Sequence, residues 1–394
     1  MNYNPFSPAV HDNPYPYYAY LRQQAPVYLI PELGFWAVSR YEDVLFVLKN
    51  PNKFSSERIY AATTEHLNFY PPEAPAMVGI DPPAHTRLRK LVNRAFTPRR
   101  VAGLERRVRE AVQDLLEPMA RRGEGDLMHD FAIPFPSVVI GEMLGVPIER
   151  RADFHRWGAN LIRSFSGTHV PQEEQAEIRQ SHADLRAYLE ELIAAYRQHP
   201  GDNLLSALVE AEEEDQRLTA AEIVSLAAIL IVGGNETTAN LIGNALLSLF
   251  AHPQEFARVR ANLDLVPQLV EETLRYESPV QSFLRHTTCE VELAGTRIPA
   301  GAPVLFLIGA ANRDERKFPD PDRFDILRNA EGHVAFGFGI HFCLGAQLAR
   351  LEAQTALAML LQRFPRLARK DHQVTWIDSV FTRGPETLSL VYAA

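Results

Sequence analysis

The stretch FGFGIHFCLG, residues 336–345, places a single cysteine among glycines directly before a helix-forming segment. The residues that follow, AQLARLE, favour helix, and we expect that helix to run to about Phe364. Cys343 then lies at a helix N-terminus, where free N–H groups stabilise sulfur as the anion. Three glycines in this loop, Gly337, Gly339 and Gly345, allow backbone conformations and close approaches that a Cβ atom would forbid, as in a loop pressed against a flat ligand.

A lone cysteine before a helix also has a simpler interpretation, as a small buried apolar residue. The chain holds one other cysteine, Cys289, which excludes a disulfide framework and any four-thiolate zinc or iron–sulfur site made within one chain. Low cysteine usage favours the reduced cytosol, and the N-terminus lacks the basic and apolar runs of a signal peptide or anchor. We therefore expect a soluble, cytoplasmic protein with no membrane partner.

The 394 residues are 46% hydrophobic and 23% charged, which is sufficient for a large core. No Gly/Ser tract, charge block or shift of composition marks a linker, so we expect a single domain over residues 1–394. Its part up to about residue 80 is mixed and contains β structure, and the remainder is helix-rich. The net charge of −9 argues against a nucleic-acid partner.

The N-terminal part contains one clear hairpin pattern. Val27–Ile30 and Phe35–Val38 flank a turn from Pro31 to Gly34, and Tyr41–Leu48 is typical of a short helix. Residues 54–80 show no regular period, so we expect irregular structure there.

Helical patterns dominate from His85 to about Phe364. One amphipathic helix is predicted from about Gln172 to Arg197. Thr219 opens a capping box for a long apolar helix, Glu222 to about Phe250. Between residues 290 and 310 the period changes to two, and this predicts two strands: Val291–Leu293 and Pro303–Leu307.

The middle of the long apolar helix contains the sequence GGNETT, residues 233–238. Gly233 and Gly234 each cost about 1 kcal/mol of helix stability relative to alanine, which indicates that space is needed there. The Thr237 hydroxyl can bond the carbonyl four residues back, at Gly233, and Glu236 supplies an ionisable neighbour. A packing glycine pair with ordinary helical threonines is the alternative.

Two further sets of charged residues have simple alternatives of their own. Glu272 and Arg275 share one helical face, a spacing that is usually a solvated pair. His85 and Arg89 lie four apart on one predicted helix and can reach the same carboxylate region, and Arg285 and His341 are two further dispersed cations. An ordinary surface position explains each of these residues as well.

The pattern Phe336-x-x-Gly339-x-x-x-Cys343-x-Gly345, with His341 before the cysteine, resembles the haem-binding loop of the cytochrome P-450 family, soluble bacterial type. The resemblance extends over almost the whole chain. It implies a mainly α fold with smaller β-sheet regions (α+β), a long central helix over the haem, and haem b, iron protoporphyrin IX, with Cys343 as its iron ligand. Other implied cofactor-binding residues are His85, Arg89, Gly233, Gly234, Arg285, Phe336, Gly337, His341 and Gly345.

The same resemblance assigns roles to other motifs. Glu236 and Thr237 match the acid and alcohol that deliver protons beside bound dioxygen. The family more often has alanine where Gly233 stands, which changes the shape of the groove. Glu272, Arg275 and Arg323 match residues that brace the cysteine loop and carry no catalysis.

The expected activity is that of a haem-thiolate monooxygenase, which hydroxylates or epoxidises a hydrophobic small molecule with one atom of dioxygen. No flavin or iron–sulfur module is present, so a separate ferredoxin or flavodoxin supplies electrons, and Arg350 is a candidate contact for it or a solvated residue. A peroxide-driven peroxygenase and a non-catalytic haem-based sensor are the alternatives. Predominantly apolar segments should select the substrate: Ile59–Tyr70, Leu161–Val170, Ile229–Val232, Val280–Phe283 and Val380–Phe381.

Overall fold

Helices make up most of the molecule, and short strands form small sheets beside them. The computed structural model describes residues 2–57, 67–165, 170–213 and 216–392. The predicted mainly α fold with smaller β-sheet regions is confirmed.

The helices are α1 (Pro8–Asp12), α2 (Tyr15–Gln24), α3 (Tyr41–Lys49), α4 (Ala84–Ala95), α5 (Pro98–Gly103), α6 (Glu105–Arg122), α7 (Pro134–Met143), α8 (Arg151–Phe165), α9 (Gln172–Gln198), α10 (Leu204–Glu210), α11 (Ala220–Ala251), α12 (Pro253–Ala261), α13 (Val266–Tyr276), α14 (Ile308–Ala311) and α15 (Ala346–Arg363). Short 3-10 turns occur at Met77–Gly79, Ile148–Arg150, Leu263–Leu265 and Gly339–His341, and Met128–Ala132 is a π-helical turn.

The strands are β1 (Val27–Ile30), β2 (Phe35–Val38), β3 (Phe54–Ser55), β4 (Glu124–Asp126), β5 (Glu212–Glu213), β6 (Gln216–Arg217), β7 (Ser282–Thr287), β8 (Val291–Leu293), β9 (Thr296–Ile298), β10 (Pro303–Leu307), β11 (Ala368–Arg369) and β12 (Ser389–Val391). The largest sheet has the order β1-β2-β10-β7-β3. Strands β2 and β10 pair in parallel, with Val304 opposite Trp36, and the other pairs of this sheet are antiparallel. A second sheet, β11-β12-β4, joins the last described strand to the segment after α6.

Helix α11 is the predicted long apolar helix, and it extends slightly beyond the predicted bounds at both ends. Thr219 Oγ1 accepts the N–H of Glu222 at 3.2 Å and Glu222 Oε2 accepts the N–H of Thr219 at 2.8 Å, so the predicted capping box is formed. Within the described ranges, α11 is the one helix long and apolar enough to cross a membrane. Most of its residues are buried, and it packs against α7, α8, α13 and α15, as a core helix does.

Most other local predictions are confirmed to within a residue. The hairpin β1–β2 has the predicted bounds, α3 and α9 end one residue later than predicted, and α15 ends one residue earlier. The segment expected to be irregular contains the short strand β3 and one 3-10 turn, and residues 58–66 lie outside the described chain.

Strand β7 was missed, because the sequence pattern placed the change from helix to strand after residue 290. Four of the six β7 residues are buried, and the buried positions do not alternate along the strand. A strand that is buried on both faces shows no period of two, so its sequence resembles that of a buried helix. The consequence is functional, since β7 carries Arg285.

A buried ion pair fixes the chain that leads into the cysteine loop. Glu272 and Arg275 on α13 form two hydrogen bonds of 2.7 and 2.8 Å, and both side chains are 0% exposed. Arg275 also donates to the carbonyl oxygens of Asn312, Pro321 and Arg323. The prediction that this pair is structural is therefore confirmed.

The predicted contribution of Arg323 is only partly correct. Its carbonyl oxygen accepts from Arg275, but its guanidinium points away to Asp325 at 3.5 Å. The second arginine beside Glu272 is Arg328, with Nε at 3.4 Å from the carboxylate. Spacing within the sequence does not distinguish two arginines five residues apart in the same loop.

We expect Glu272→Gln to lower the free energy of unfolding by about 3–5 kcal/mol, because it leaves the buried guanidinium of Arg275 without a counter-charge. Urea denaturation followed by circular dichroism measures this change. Arg109→Gln removes an exposed ion pair with Glu105 and serves as the control, whose midpoint should equal that of the wild type. Equal midpoints for all three proteins would contradict a bracing role for the buried pair.

Candidate haem site

The cysteine loop folds back on itself between α14 and α15. The N–H of Cys343 donates to the carbonyl of Phe336 at 2.9 Å, which closes the loop around the glycines. Gly337 and Gly339 have φ values of +70° and +73°, and a Cβ atom on Gly339 would lie 2.7 Å from the carbonyl oxygen of Leu48. The backbone conformation therefore favours glycine at both positions, and close packing against α3 also requires it at Gly339.

Gly345 differs from that expectation. Its φ is −82°, which any residue adopts, and a Cβ atom there would lie 3.9 Å from Cys343 Sγ, an ordinary contact. Gly345 is the N-cap of α15, so its place is at the start of the helix rather than in a strained turn.

Opposing effects act on the pKa of the Cys343 thiol. Burial raises the pKa of the thiol, while the N–H groups of Gly345 and Ala346 and the charges of Arg89 and Arg350 lower it. The two N–H groups are the donors predicted from the position before α15. Because a coordinating metal ion deprotonates a thiol outright, this sulfur is suited to bind one.

Arg350 is held within the molecule. It donates to both carboxylate oxygens of Glu271 at 2.6 and 2.9 Å, and its guanidinium lies 4.6 Å from the centre of the Phe336 ring. Burial would raise the pKa of Glu271, but the hydrogen bonds from Arg350 and His333 outweigh it and hold that pKa at about 2. Arg350 is therefore not merely solvated, because it joins α15 to α13 and supports the loop. Its contact with a redox partner stays a prediction.

The four basic residues predicted from separate motifs come together beside this loop. The rings of His85 and His341 lie 4.2 Å apart, centre to centre. Burial, together with the charges of Arg285, His85 and Arg89, lowers the pKa of His341 to about 3. Burial also lowers the pKa of Arg285 to about 10.

In this basic cluster, His85, Arg89, Arg285 and His341, the two guanidinium groups carry more positive charge than the surroundings balance, and the lowered pKa values favour the neutral form of the two imidazoles. Among the described residues, the acid that acts on it is Asp81, whose Oδ1 is bonded to the N–H of Ser56. His85 Nδ1 is buried without a hydrogen-bond partner in the described part of the chain. Two guanidinium groups with one carboxylate near them, and a buried imidazole nitrogen without a partner, indicate a ligand with more than one negative charge, and the two propionates of haem meet that requirement.

The motif on α11 has the predicted local geometry. Thr237 Oγ1 donates to the carbonyl of Gly233 at 2.7 Å, as the spacing of four residues predicts. The two glycines differ: a Cβ atom on Gly234 would lie 2.5 Å from Ile140 on α7, whereas a Cβ atom on Gly233 would meet nothing within 4 Å. Gly234 packs against the Ile140 side chain, and Gly233 borders open space beside Thr237.

Glu236, next to Thr237, has a partner that the sequence did not predict. Thr382 Oγ1 donates to Glu236 Oε1 at 2.5 Å from the segment before β12. Burial raises the pKa of the Glu236 carboxyl, against the hydrogen bonds from Thr382 and Asn240. Burial of this kind favours the protonated acid, which is the form that gives up a proton.

A second buried acid was also missed. Glu352 on α15 is fully buried, and the Thr238 hydroxyl hydrogen-bonds to its carboxyl group. Burial raises the pKa of Glu352 to about 8, so the side chain is neutral at pH 7. This contact joins α15 to α11, and its only sequence signal is a glutamate on the apolar face of a helix.

The comparisons with known proteins agree with this geometry. The family model for Cytochrome P450 matches residues 11–390. Cytochrome P450 107B1 of Saccharopolyspora erythraea is 46% identical over 90% of this chain and 89% of its own length. Cytochrome P450 monooxygenase PikC of Streptomyces venezuelae is 43% identical over 96% of this chain and 91% of its own length. The structure of CYP109Q5 from Chondromyces apiculatus has a TM-score of 0.93 at 43% identity, covering 99% of this chain and 98% of that one.

The chain therefore belongs to the cytochrome P450 family. It is a haem-thiolate monooxygenase that uses dioxygen, a small-molecule substrate and electrons from a redox partner, and the predicted family and reaction class are confirmed.

We expect Glu352→Gln to change how stability depends on pH. Between about pH 4.5 and 8 folded Glu352 keeps a proton that the unfolded chain has lost, so stability falls as pH rises, by about 1.4 kcal/mol per unit. Glutamine removes this contribution, and the variant should gain stability over the wild type as pH rises from 5.5 to 7.5. Urea titrations at these two pH values measure the difference, with exposed Glu290→Gln as the control. Parallel curves for wild type and Glu352→Gln would contradict a neutral Glu352.

Proposed function

We propose that Cys343 is the thiolate ligand of the haem iron. The observation that carries this proposal is the position of its sulfur, which is buried between two N–H donors in a loop that also contributes His341 to the basic cluster. When bound, the haem supplies the activation of dioxygen and the insertion of one oxygen atom. The residues of this chain hold the cofactor, position the substrate and deliver protons.

The bound cofactor is haem b, with the basic cluster of His85, Arg89, Arg285 and His341 on its propionates. The uncompensated charge of that cluster supports this assignment. Phe336, Gly337 and Gly345 shape the loop under the macrocycle, and Gly233 lines the α11 side, whereas Gly234 faces Ile140 on α7. A Cβ atom placed on Gly233 would meet nothing within 4 Å, which supports Gly233 as a position where a ligand approaches.

Glu236 and Thr237 deliver protons to the reacting oxygen. Thr237 keeps its hydroxyl hydrogen-bonded to Gly233, which fixes the rotamer of the side chain. Glu236 is held by Thr382 and has a raised pKa, so it carries a proton more readily than an exposed glutamate. A partly buried acid beside an oriented alcohol limits water access while it moves protons one at a time.

The substrate is a hydrophobic small molecule. The described parts of the predicted apolar segments support this, since Ile229, Val232, Val280 and Phe381 are partly buried next to the core. Residues 58–66 and 166–169 of those segments lie outside the described chain. The absence of a side chain at Gly233 favours a bulky substrate, such as a steroid, macrolide or terpenoid, over a slender one.

The redox partner is a ferredoxin or flavodoxin that docks on the cysteine-loop side. Phe338 and Phe342 of the loop are 43% and 42% exposed, and Nζ of Lys49 lies 5.2 Å from the centre of the Phe338 ring. Exposed aromatics flanked by cations suit a small acidic partner.

We infer a cytoplasmic protein of one domain over residues 1–394. The single domain is supported by a contact between distant parts of the chain, because Arg383 donates to the carbonyls of His11 and Asp12.

Cys343→Ser tests the ligand assignment. We expect the variant to lose the red-shifted carbon monoxide band of the reduced haem protein, because a serine oxygen does not replace the thiolate. Cys289→Ser changes the other, exposed cysteine and should keep the band. A band that persists in Cys343→Ser would refute the assignment.

Thr237→Ala tests proton delivery. Product formation per reducing equivalent should fall by at least about tenfold while peroxide release rises, because the positioned hydroxyl is lost. Product, peroxide and nicotinamide consumption are measured with a ferredoxin and reductase and with a hydrophobic compound that shifts the spin state of the ferric protein. Thr237→Ser should restore coupling, and unchanged coupling in Thr237→Ala would remove Thr237 from the mechanism.

A further inference from the structure

The carboxyl group of Glu236 is joined to the surface by two hydroxyl groups. Thr382 Oγ1 lies 2.5 Å from Glu236 Oε1 and 2.8 Å from Ser379 Oγ. A hydroxyl group donates one hydrogen bond and accepts others, so Ser379 can donate to Thr382 while Thr382 donates to Glu236. The three side chains form a continuous hydrogen-bonded row.

Backbone groups hold the outer end of this row. Ser379 Oγ accepts the N–H of Thr382 at 3.1 Å and that of Phe381 at 3.3 Å. These bonds leave the Ser379 hydroxyl proton free for transfer along the row. They also fix the two hydroxyl groups relative to each other, because both belong to the same turn.

A cavity lies at the outer end. Its volume is about 30 Å³, and its lining includes Ser379, Thr382, Tyr3, His11, Tyr18 and Trp376. One water molecule needs a cavity of roughly 10–15 Å³ and two to four polar partners, so this cavity has room for one or two waters. His11, Trp376 and Ser379 are partly exposed, which places the cavity close to the protein surface.

We propose that Ser379 and Thr382 form a proton route from this cavity to Glu236. Water in the cavity gives a proton to Ser379, Ser379 gives its own to Thr382, and Thr382 gives its own to the Glu236 carboxylate. Each hydroxyl loses one proton and gains one, so the net change is the movement of one proton from solvent to Glu236. Thr382 and Ser379 are positioning residues, which act on the reaction through Glu236.

The row also explains why its residues come from distant parts of the chain. Glu236 is on α11, while Ser379 and Thr382 belong to the segment between α15 and β12, and Tyr3 and His11 close the cavity from the N-terminus. Arg383 fixes this junction, because it bonds Glu277 at 2.8 Å and the carbonyls of the N-terminal segment. The route therefore passes between elements whose relative position is fixed by the buried Arg383.

The inference rests on the proposed role of Glu236, and the experiment separates the two. In the haem-loaded protein, infrared difference spectra on carbon monoxide photolysis identify the Glu236 carboxyl band by its loss in Glu236→Gln. We expect Thr382→Val to shift this band to higher wavenumber, because the hydrogen bond to the carboxyl group is lost. Thr382→Ser should return it to the wild-type position.

The same variants are assayed for product per reducing equivalent and for the solvent deuterium isotope effect. Thr382→Val should reduce coupling by about tenfold, the effect of losing one hydrogen bond to an ionisable group, and should increase the isotope effect. Ser379→Ala should reduce coupling in the same direction, and Thr382→Ser should restore both quantities. Thr288→Val, which removes a hydroxyl bonded to the carbonyl of Asn52 at 2.7 Å, is the matched control and should equal the wild type.

The outcomes are distinct. If Glu236→Gln retains wild-type coupling, the proposed role of Glu236 fails and the route fails with it. If Glu236→Gln uncouples turnover but Thr382→Val leaves the carboxyl band, coupling and isotope effect unchanged, the route alone is overturned. If the band shifts without any change in coupling or isotope effect, Thr382 only braces its segment, and the proposal is overturned as well.

Discussion

The burial of excess positive charge beside one sulfur atom is the constraint on which the rest of the site depends. His85, Arg89, Arg285 and His341 come from α4, β7 and the cysteine loop, and burial lowers the pKa of each. Holding such groups together costs free energy unless an anion compensates them. The scaffold supplies that free energy through its core and through the buried pair of Glu272 and Arg275, which fixes the chain before the loop.

Polar contacts made by α15 form a second set of interactions near the same sulfur. Arg350 joins α15 to Glu271 on α13 and lies against the Phe336 ring, so the helix that begins after Cys343 cannot shift independently of the loop. Glu352 and Thr238 join the same helix to α11 through a neutral contact. The cysteine loop and α11 are thereby both connected to α15 by polar contacts as well as by apolar packing.

How much of the site could be predicted from sequence depends on how local each feature is. The bond from Thr237 to Gly233 and the capping box at Thr219 follow from helix geometry, because residues three or four apart on a helix meet whatever surrounds them. Strand β7 was missed because burial on both faces removes its alternation. The role of Arg350 was left open because its partner, Glu271, is 79 positions away and nothing in the spacing marks the pair.

The sequence by itself determined the cysteine loop, the glycine, acid and alcohol of α11, the basic residues and, through their order, the family. Only the tertiary structure decided that Glu236 is held by Thr382, 146 positions away, and that the basic residues form one cluster. Only the tertiary structure decided that Glu352 stays neutral. The physical reason is that desolvation and long-range hydrogen bonds depend on which surfaces meet, and local spacing carries no record of the distant chain that covers a side chain.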